Sequence, residues 1–351
     1  AEIKDILIIT NRGETNLFKK ILGNGKNLGI KISYKEQKKP NGLPEAFIIG
    51  EKFIKNQSVA LILGDNFFYG QGFTKRLKEV IALGTGAIEI KSGYGLTVSS
   101  ELKILRIINR LKNNFDTPIK STFLGAHAVP EKFKNNKAAY IDLIIEEMLP
   151  KIAKENLADF IDVFCETGYF DVGDVRRIGD ALAGSNLQLK VHVNQFTSIG
   201  GIAEALNQKA VSVDHLEVLT EDDISKLKGK NTIATLLPGC SFFLGIPYAP
   251  ARTLIDNNIS VALASDFNPG SSPTYNPFFI WSLACIKLKM TPLEALNALT
   301  VNGAFAMGLG HTHGRIFKGY NGTLILTKPT PSIDYFPYAF GENHTQEMLN
   351  I

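Results

Sequence analysis

The chain has 351 residues, of which 44% are hydrophobic and 21% are charged. These are the proportions of a folded globular protein, and the length allows about two ordinary domains, or one barrel of about 250 residues with an addition. No run approaches the roughly 18 to 20 apolar residues of a membrane span. The start also lacks the pattern of a secretory signal, so we expect no membrane partner.

Charge and cysteines narrow the function classes further. The net charge is +4, and residues 1–83 hold 14 Lys+Arg against 8 Asp+Glu. Because Lys38-Lys39 and Lys75-Arg76 are typical of solvated turn and helix charges rather than of one basic face interleaved with aromatic residues, we expect no nucleic-acid partner. The three cysteines, Cys165, Cys240 and Cys285, are widely spaced and odd in number. Free thiols in a reducing compartment are the simplest interpretation, and a cytoplasmic protein is predicted.

Strands and helices alternate in the first quarter. Apolar runs predict strands over residues 6–10, 32–35 and 59–63, with helices over 16–22 and 43–55 between them. This is the pattern of a doubly wound α/β segment with a parallel sheet. Asp65 follows the third strand, which makes it a candidate metal or phosphate-site residue or simply a turn residue.

From residue 87 onward the same alternation becomes more regular. Seven strands, each followed by a helical stretch such as 100–113 or 140–153, predict an incomplete (β/α)8 barrel of the TIM type, because a closed barrel takes eight units. The predicted strands are residues 87–91, 119–124, 160–165, 189–194, 210–213, 232–237 and 260–265. Helices over 276–288 and 292–309, a strand over 323–326 and an aromatic-rich tail follow. The predicted domains are 1–83, 84–310 and 311–351.

Three strand ends of this barrel carry metal-ligating side chains. His192 lies in the fourth of these strands, His215 follows the fifth, and Asp266 follows the seventh. The C-terminal ends of barrel strands meet at one mouth, and imidazole with carboxylate suits a zinc or iron site that keeps positions open for water. A second histidine can exchange protons with the reacting group. The alternatives are a histidine packed in the core and an aspartate that caps a turn.

Two further residues follow strand ends on the same side. His127 comes after the second barrel strand and Tyr94 after the first. Both offer uncharged hydrogen-bonding groups, which fit a small polar heterocycle better than a polymer. Either could instead be a loop residue packed on its neighbour.

Residues 1 to about 81 resemble the middle of a sugar nucleotidyltransferase domain of the glucose-1-phosphate thymidylyltransferase type. The resemblance rests on residues 4–9 (KDILII), 34–37 (YKEQ), 42–47 (GLPEAF) and 63–70 (LGDNFFYG). It implies that Gln37 and Gly42 lie near a nucleotide and that Asp65 is a magnesium ligand. Because the family's glycine-rich phosphate loop is absent from this sequence, we expect neither Mg²⁺ at Asp65 nor nucleotidyl transfer by this segment.

Residues from about 84 to 344 resemble the imidazolonepropionase family of metal-dependent amidohydrolases. The resemblance rests on residues 89–96 (EIKSGYGL), 122–130 (TFLGAHAVP), 213–217 (VDHLE) and 266–273 (DFNPGSSP). It implies a cytoplasmic homodimer that hydrolyses the ring amide of 4-imidazolone-5-propanoate to N-formimidoyl-L-glutamate, a reaction of histidine degradation.

The same resemblance implies roles for individual residues. His192 and Asp266 would bind one zinc or iron ion per chain, with Asp266 also acting as a base. His215 would assist proton transfer. The implied substrate contacts are Tyr94, His127, Gln195, Asn268, Gly270 and Ser271, with Gln195 also in the catalytic group.

One feature of the family is missing. Its first barrel strand carries a His-x-His pair that completes the metal site, whereas this sequence has no histidine before His127. The pair His311 and His313 lies between two glycines after a helix, where we do not expect ligands. Impaired hydrolysis is therefore expected. The alternatives are nucleotide or sugar-phosphate binding by residues 1–83 and an inactive chimeric chain.

Overall fold

The computed structural model describes residues 4–38, 43–55, 73–321 and 323–350. The chain forms two compact units, residues 1–68 and 69–351. The domain limits predicted from the sequence, at residues 83 and 310, stay predictions.

The first unit contains two parallel strands, β1 (Asp5–Asn11) and β2 (Lys31–Gln37), paired in register along their whole length. Parallel neighbours need a crossover, which the helix Thr15–Leu22 and the short 3₁₀ turn Lys26–Leu28 provide. A second helix, Leu43–Ile54, follows. Both strands and both helices confirm the predicted α/β alternation. The predicted strand 59–63, Gly42 and Asp65 lie outside the described residues.

The second unit is built on a seven-stranded parallel sheet whose strands follow one another in chain order. Their bounds are β3 (Ile88–Lys91), β4 (Ile119–Ala126), β5 (Phe160–Cys165), β6 (Gln188–Val193), β7 (Ser212–His215), β8 (Ile233–Leu236) and β9 (Val261–Leu263). Sequential parallel strands joined by helices are the arrangement of a (β/α) barrel. The predicted incomplete barrel of seven units is confirmed.

Helices connect these strands and cover the sheet. Their bounds are Phe73–Ala82, Val98–Lys112, Lys137–Leu143, Leu149–Lys154, Val172–Ala181, Gly201–Asn207, Glu221–Leu227, Pro238–Leu244, Ala251–Asp256, Pro277–Ile286, Pro292–Asn297, Gly303–Ala306 and Tyr335–Tyr338, with a 3₁₀ turn at Glu131–Phe133. Leu105, Ile152 and Ile178, from three of these helices, are fully buried in the main hydrophobic core. Within the described ranges, no helix has the length and apolar character needed to cross a membrane.

Two predicted continuous helices are interrupted by π-helical turns, at Ile144–Met148 and Ala298–Asn302. The first precedes Pro150, which has no backbone N–H for the bond to the carbonyl four residues earlier, so the turn widens. At the second, Asn302 donates from its side chain to the Val261 carbonyl at 2.7 Å, which ties the widened turn to β9.

The C-terminal residues form an antiparallel pair of strands, β10 (Thr323–Thr327) and β11 (Thr345–Asn350). The sequence predicts β10 but not β11. Between them, the aromatic tail packs Phe336 against Phe278 and Trp281 of the helix Pro277–Ile286, with ring centroids 5.7 and 5.4 Å apart. Burial of these rings fixes the tail against the barrel.

Candidate active site

Two histidines stand side by side at the C-terminal end of the sheet. His192 belongs to β6 and His215 is the last residue of β7. Their ring centroids are 5.3 Å apart, and both residues are at least nine-tenths buried. The structure therefore brings together the two histidines that the sequence places at strand ends.

The backbone around these strand ends is left-handed at residues that carry side chains. Asn194, His215, Leu216 and Asp266 have φ angles of 56°, 86°, 68° and 49°. Such a conformation is unfavourable for a non-glycine residue by roughly 1 to 3 kcal/mol, and it persists only where the surroundings enforce it. Four of the ten non-glycine residues with positive φ in the described structure therefore lie at the ends of β6, β7 and β9.

Asp162, in the middle of β5, fixes the ring of His192. His192 Nδ1 lies 3.0 Å from Asp162 Oδ1 and donates to this carboxylate, which is fully buried. Burial opposes ionisation of Asp162, but the charges and hydrogen bonds of His192 and Lys91 outweigh it and hold the pKa of this carboxyl well below its usual range. Because Nδ1 is the donor, Nε2 of a neutral ring keeps its lone pair for a ligand.

An ionic layer lies in the sheet beneath the histidines, and we call it the inner ionic layer. Lys91 Nζ is 2.6 Å from Asp162, 3.0 Å from Glu89 and 3.4 Å from Asp214. Lys190 pairs with Glu89 and lies 4.6 Å from the centroid of the Phe160 ring. Despite burial, Lys190 and Lys91 lower the pKa of Glu89 to about 2.

Glu217 and Cys240 surround the far side of His215. His215 Nδ1 lies 3.5 Å from Glu217 Oε1, an ion-pair distance without hydrogen-bond alignment. Burial disfavours the imidazolium, yet contacts with Cys240 and Glu217 and the charge of Asp266 raise the pKa of His215 well above its ordinary value. Gln195 reaches the same place, with Nε2 3.5 Å from Cys240 Sγ.

Tyr94 and His127 are brought together by the loop after β3. Their rings meet edge to face at 5.4 Å, and His127 Nδ1 donates to the Gly93 carbonyl at 3.1 Å. Gly93 has φ +109°, and a Cβ there would lie 2.6 Å from the Leu124 carbonyl oxygen, so the position requires glycine. The buried carboxylate of Glu101 accepts from the Gly93, Gly95 and Leu96 amides and holds the loop in place.

Asp266 lies beyond β9, which is shorter than the predicted strand and ends at Leu263. Its negative charge acts on three of the other predicted site residues. After partial burial it is the second cause of the raised pKa of Tyr94, and it opposes the burial that lowers the pKa of His127. With His215, these residues therefore share one electrostatic environment.

The side chain of Asn268 forms hydrogen bonds across the loop after Asp266. Its Oδ1 accepts from the Gly270 and Ser271 amides at 2.9 and 2.7 Å, and its Nδ2 donates to the Asp266 carbonyl at 2.7 Å. These bonds form an Asx turn that fixes the backbone next to Asp266. The structure thus brings the three predicted propanoate contacts together, bonded to one another.

The described residues contain two groups of three side chains with ligand atoms close enough to hold a metal. They are Asp162, His192 and Asp214, and His215, Glu217 and Cys240. In the first group Lys91 already supplies the cation. His192, His215 and Asp266 do not form such a close group among the described residues. Their donor chemistry, an oriented imidazole with a carboxylate, nevertheless fits a divalent metal.

The remaining predicted residues lie elsewhere. Gln37 is the last residue of β2, in the first unit, and its predicted role near a nucleotide stays a prediction. His313 uses both ring nitrogens in contacts with Thr312 and Asn321, and His311 packs edge to face on Phe305. The expectation that this pair does not bind a metal stays a prediction.

Two known protein families match parts of this chain. The model of the amidohydrolase family matches residues 147–336. This chain belongs to the amidohydrolase family. The family and the donor groups together indicate a divalent metal. A model described as nucleotidyl transferase matches residues 1–98, in agreement with the resemblance of the first segment.

Curated relatives agree on one activity. The chain is similar to the imidazolonepropionases of Christiangramia forsetii (57% identical over 269 residues, 77% of this chain and 66% of the relative), Flavobacterium johnsoniae (56%, covering 78% and 67%) and Thermoanaerobacter pseudethanolicus (44%, covering 78% and 66%). The chain spans about two thirds of the length of these relatives. The resemblance to imidazolonepropionase is confirmed.

Solved structures agree on the fold. An adenosine deaminase from Xanthomonas campestris with bound zinc aligns with a TM-score of 0.63 at 14% identity, over 98% of this chain and 77% of that chain. A guanine deaminase from C. acetobutylicum with bound guanine aligns with a TM-score of 0.60 at 18% identity, over 82% and 75%. Both likenesses support the amidohydrolase barrel.

Several residues that shape this site are not among the sequence predictions. Asp162 orients His192, Glu101 holds the loop of Tyr94, and Glu217 with Cys240 surrounds His215. The sequence does mark Asp162, because an acid within the apolar run of β5 has to be paired when it is buried. The sequence marks Glu101 more weakly, as an acid in the first turn of a helix.

Proposed function

We propose that the chain is a metal-dependent hydrolase that opens the ring amide of 4-imidazolone-5-propanoate to N-formimidoyl-L-glutamate. The observation that carries the proposal is the adjacent pair His192 and His215, whose rings are 5.3 Å apart, in a chain 57% identical over 269 residues to an imidazolonepropionase. Because the chain spans 66% of that relative, the activity is stated for this chain as a proposal.

We assign one zinc or iron ion to His192 Nε2 and the Asp266 carboxylate. Such an ion lowers the pKa of a bound water and polarises a carbonyl oxygen. The bond from His192 Nδ1 to Asp162 supports this assignment, since it orients the ring and leaves Nε2 available. Because two protein ligands hold a metal less tightly than four, we expect these two alone to bind the ion weakly.

The other residues take roles that follow from their positions. Hydrolysis adds water across the ring C–N bond, so the carbonyl carbon gains an oxygen and the ring nitrogen gains a proton. Asp266 takes the proton of the water, and His215 gives a proton to the departing nitrogen. Gln195, whose amide lies beside Cys240, hydrogen-bonds the substrate.

We assign substrate binding to two groups of residues. Tyr94 and the Nε2 atom of His127 contact the imidazolone ring, because His127 Nδ1 is occupied by the Gly93 carbonyl. Asn268, Gly270 and Ser271 receive the propanoate or product end. To do so, the loop exchanges one of its internal hydrogen bonds for a bond to the carboxylate. We further propose a cytoplasmic homodimer with this small molecule as its partner.

Turnover and metal content of the purified full chain test the proposal. We expect formation of N-formimidoyl-L-glutamate from 4-imidazolone-5-propanoate, rising with added Zn²⁺ or Fe²⁺ and abolished by a chelator. A folded, metal-loaded chain that leaves the substrate unchanged would contradict it.

The nucleotidyl transferase match over residues 1–98 supports a second candidate, nucleotide or sugar-phosphate binding by residues 1–83. Gln37, Gly42 and Asp65 would contact the ligand. Calorimetric titration of the full chain with a nucleoside triphosphate and Mg²⁺ tests it. Absence of both heat of binding and imidazolone turnover would instead identify an inactive chimeric chain.

A further inference from the structure

A second set of metal-ligating side chains lies behind His192, and we call His215, Glu217 and Cys240 the buried triad. One ligand atom from each residue lies within 4.8 Å of the others. Their exposed fractions are 4%, 6% and 0%. An imidazole, a carboxylate and a thiol are therefore enclosed together in the protein interior.

Among the residues that the structure describes, two atoms of the buried triad find no hydrogen-bond partner. These are Nδ1 of His215 and Oε2 of Glu217. The other oxygen of Glu217 accepts from Ser241 Oγ at 2.9 Å, and Cys240 Sγ lies 3.5 Å from the amide of Gln195. A buried polar atom without a partner is destabilising by about 1 to 3 kcal/mol. The triad thus has buried polar atoms that the described residues do not satisfy.

The spacing of these atoms suits a tetrahedral cation. His215 Nδ1 and Glu217 Oε1 are 3.5 Å apart. Bonds of about 2.1 Å from zinc to nitrogen and oxygen separate two tetrahedral ligands by about 3.4 Å. The thiol sulfur lies within 4.8 Å of the other two atoms, so it has to move by no more than about 1 Å to reach its own place. A side-chain adjustment is therefore enough to close the site.

We propose that the buried triad binds a thiophilic divalent cation such as Zn²⁺ through His215 Nδ1, the Glu217 carboxylate and the Cys240 thiolate. Binding replaces the thiol S–H bond with a metal–sulfur bond, a metal–nitrogen bond takes the place of the proton on His215 Nδ1, and the displaced protons go to solvent. The thiolate and the carboxylate together balance the two positive charges. This site uses neither His192 nor Asp266, although it shares His215 with the proposed hydrolytic group, so its metal binding is tested by a readout other than turnover.

Cobalt(II) titration of the metal-free full chain tests the proposal, because a thiolate ligand gives cobalt a charge-transfer absorption that nitrogen and oxygen ligands do not. We expect this band to saturate at one equivalent and to disappear on addition of Zn²⁺. Cys240→Ser should abolish it, and Glu217→Gln should weaken cobalt binding at least about tenfold. Cys285→Ser is the matched control, since Cys285 is half-buried and outside the triad; this variant should keep the band.

Cobalt bound without the charge-transfer band would overturn the proposal, as expected if only His192 and Asp266 hold metal. Persistence of the band in Cys240→Ser, or its loss in Cys285→Ser, would overturn it equally. His192→Asn provides an independent check, because the band should survive this change. Circular dichroism of each variant shows whether it is folded, and Glu217→Gln carries the test if Cys240→Ser does not fold.

Discussion

The inner ionic layer and the strand ends above it contain similar residues, but their charged and polar groups are paired to different extents. In the layer, Lys91 and Lys190 neutralise Glu89, Asp162 and Asp214 within the sheet. Above it, the described structure has left-handed backbone at side-chain-bearing residues and buried polar atoms without partners. Loss of one partner from charges paired inside the protein destabilises the fold, whereas buried polar atoms without partners beside strained backbone are available for ligands.

The largest effect should come from breaking the inner ionic layer. Asp162→Asn removes a fully buried charge that pairs with Lys91 and orients His192, and it leaves the partly exposed ammonium of Lys91 with only Glu89 and Asp214 as partners. Loss of one partner of a buried pair typically costs about 3 to 5 kcal/mol. Urea unfolding should show that the free energy of unfolding decreases by this amount.

Glu131→Gln is the control for this substitution. Glu131 forms an ion pair with Lys134 in which both side chains are largely exposed, so its loss should change the free energy of unfolding by about 0.5 kcal/mol or less. Equal effects of the two substitutions would show that the inner layer contributes no more than a surface pair.

A smaller effect is expected at the loop that carries Tyr94. Gly93→Ala places a Cβ 2.6 Å from the Leu124 carbonyl oxygen at φ +109°, so both strain and collision should destabilise the fold, together by about 2 to 4 kcal/mol. Gly229→Ala is matched to it, because Gly229 also has positive φ (+72°) but nothing within 4 Å of the added Cβ. The difference between their unfolding free energies measures the collision, and no difference would contradict the packing described for this loop.

The fold was largely predictable because apolar strand runs and amphipathic helices carry local signals. Strands β3 to β9 were located within a few residues, and Phe160–Cys165 was predicted with the bounds observed. The interruption at Ile144–Met148 was not, although Pro150 marks it in the sequence. Strand β11 has no strong apolar alternation of its own and depends on pairing with β10, which is a tertiary effect.

The site was predictable only where residues follow strand ends. His192, His215 and Asp266 are marked by that position. The neighbours that complete the site come from other strands and loops, as Asp162 does for His192 and Cys240 for His215. Contacts between residues far apart in sequence have no local signal, so sequence reasoning could name the histidines but not what holds them.

A still smaller effect concerns the pH dependence of stability. The folded-state pKa of Glu89, about 2, lies below its ordinary value of 4.5, so ionised Glu89 stabilises the fold. This contribution is complete above about pH 5 and is lost as the pH falls toward about 2. In Glu89→Gln, the free energy of unfolding should therefore fall less steeply over this range than in the unsubstituted chain. Parallel pH profiles would contradict the pairing of Glu89 with Lys190 and Lys91.

The most direct test of the contrast between layer and strand ends is Asp266→Asn, assayed for both unfolding free energy and imidazolone turnover. Asparagine tolerates the left-handed backbone at φ 49°, so stability should change by less than about 1 kcal/mol. Turnover should fall at least about 100-fold, because a carboxylate that takes a proton is lost. A variant that keeps the turnover of the unsubstituted chain, or that loses several kcal/mol of stability, would contradict the assignment of Asp266 to a ligand-binding strand end.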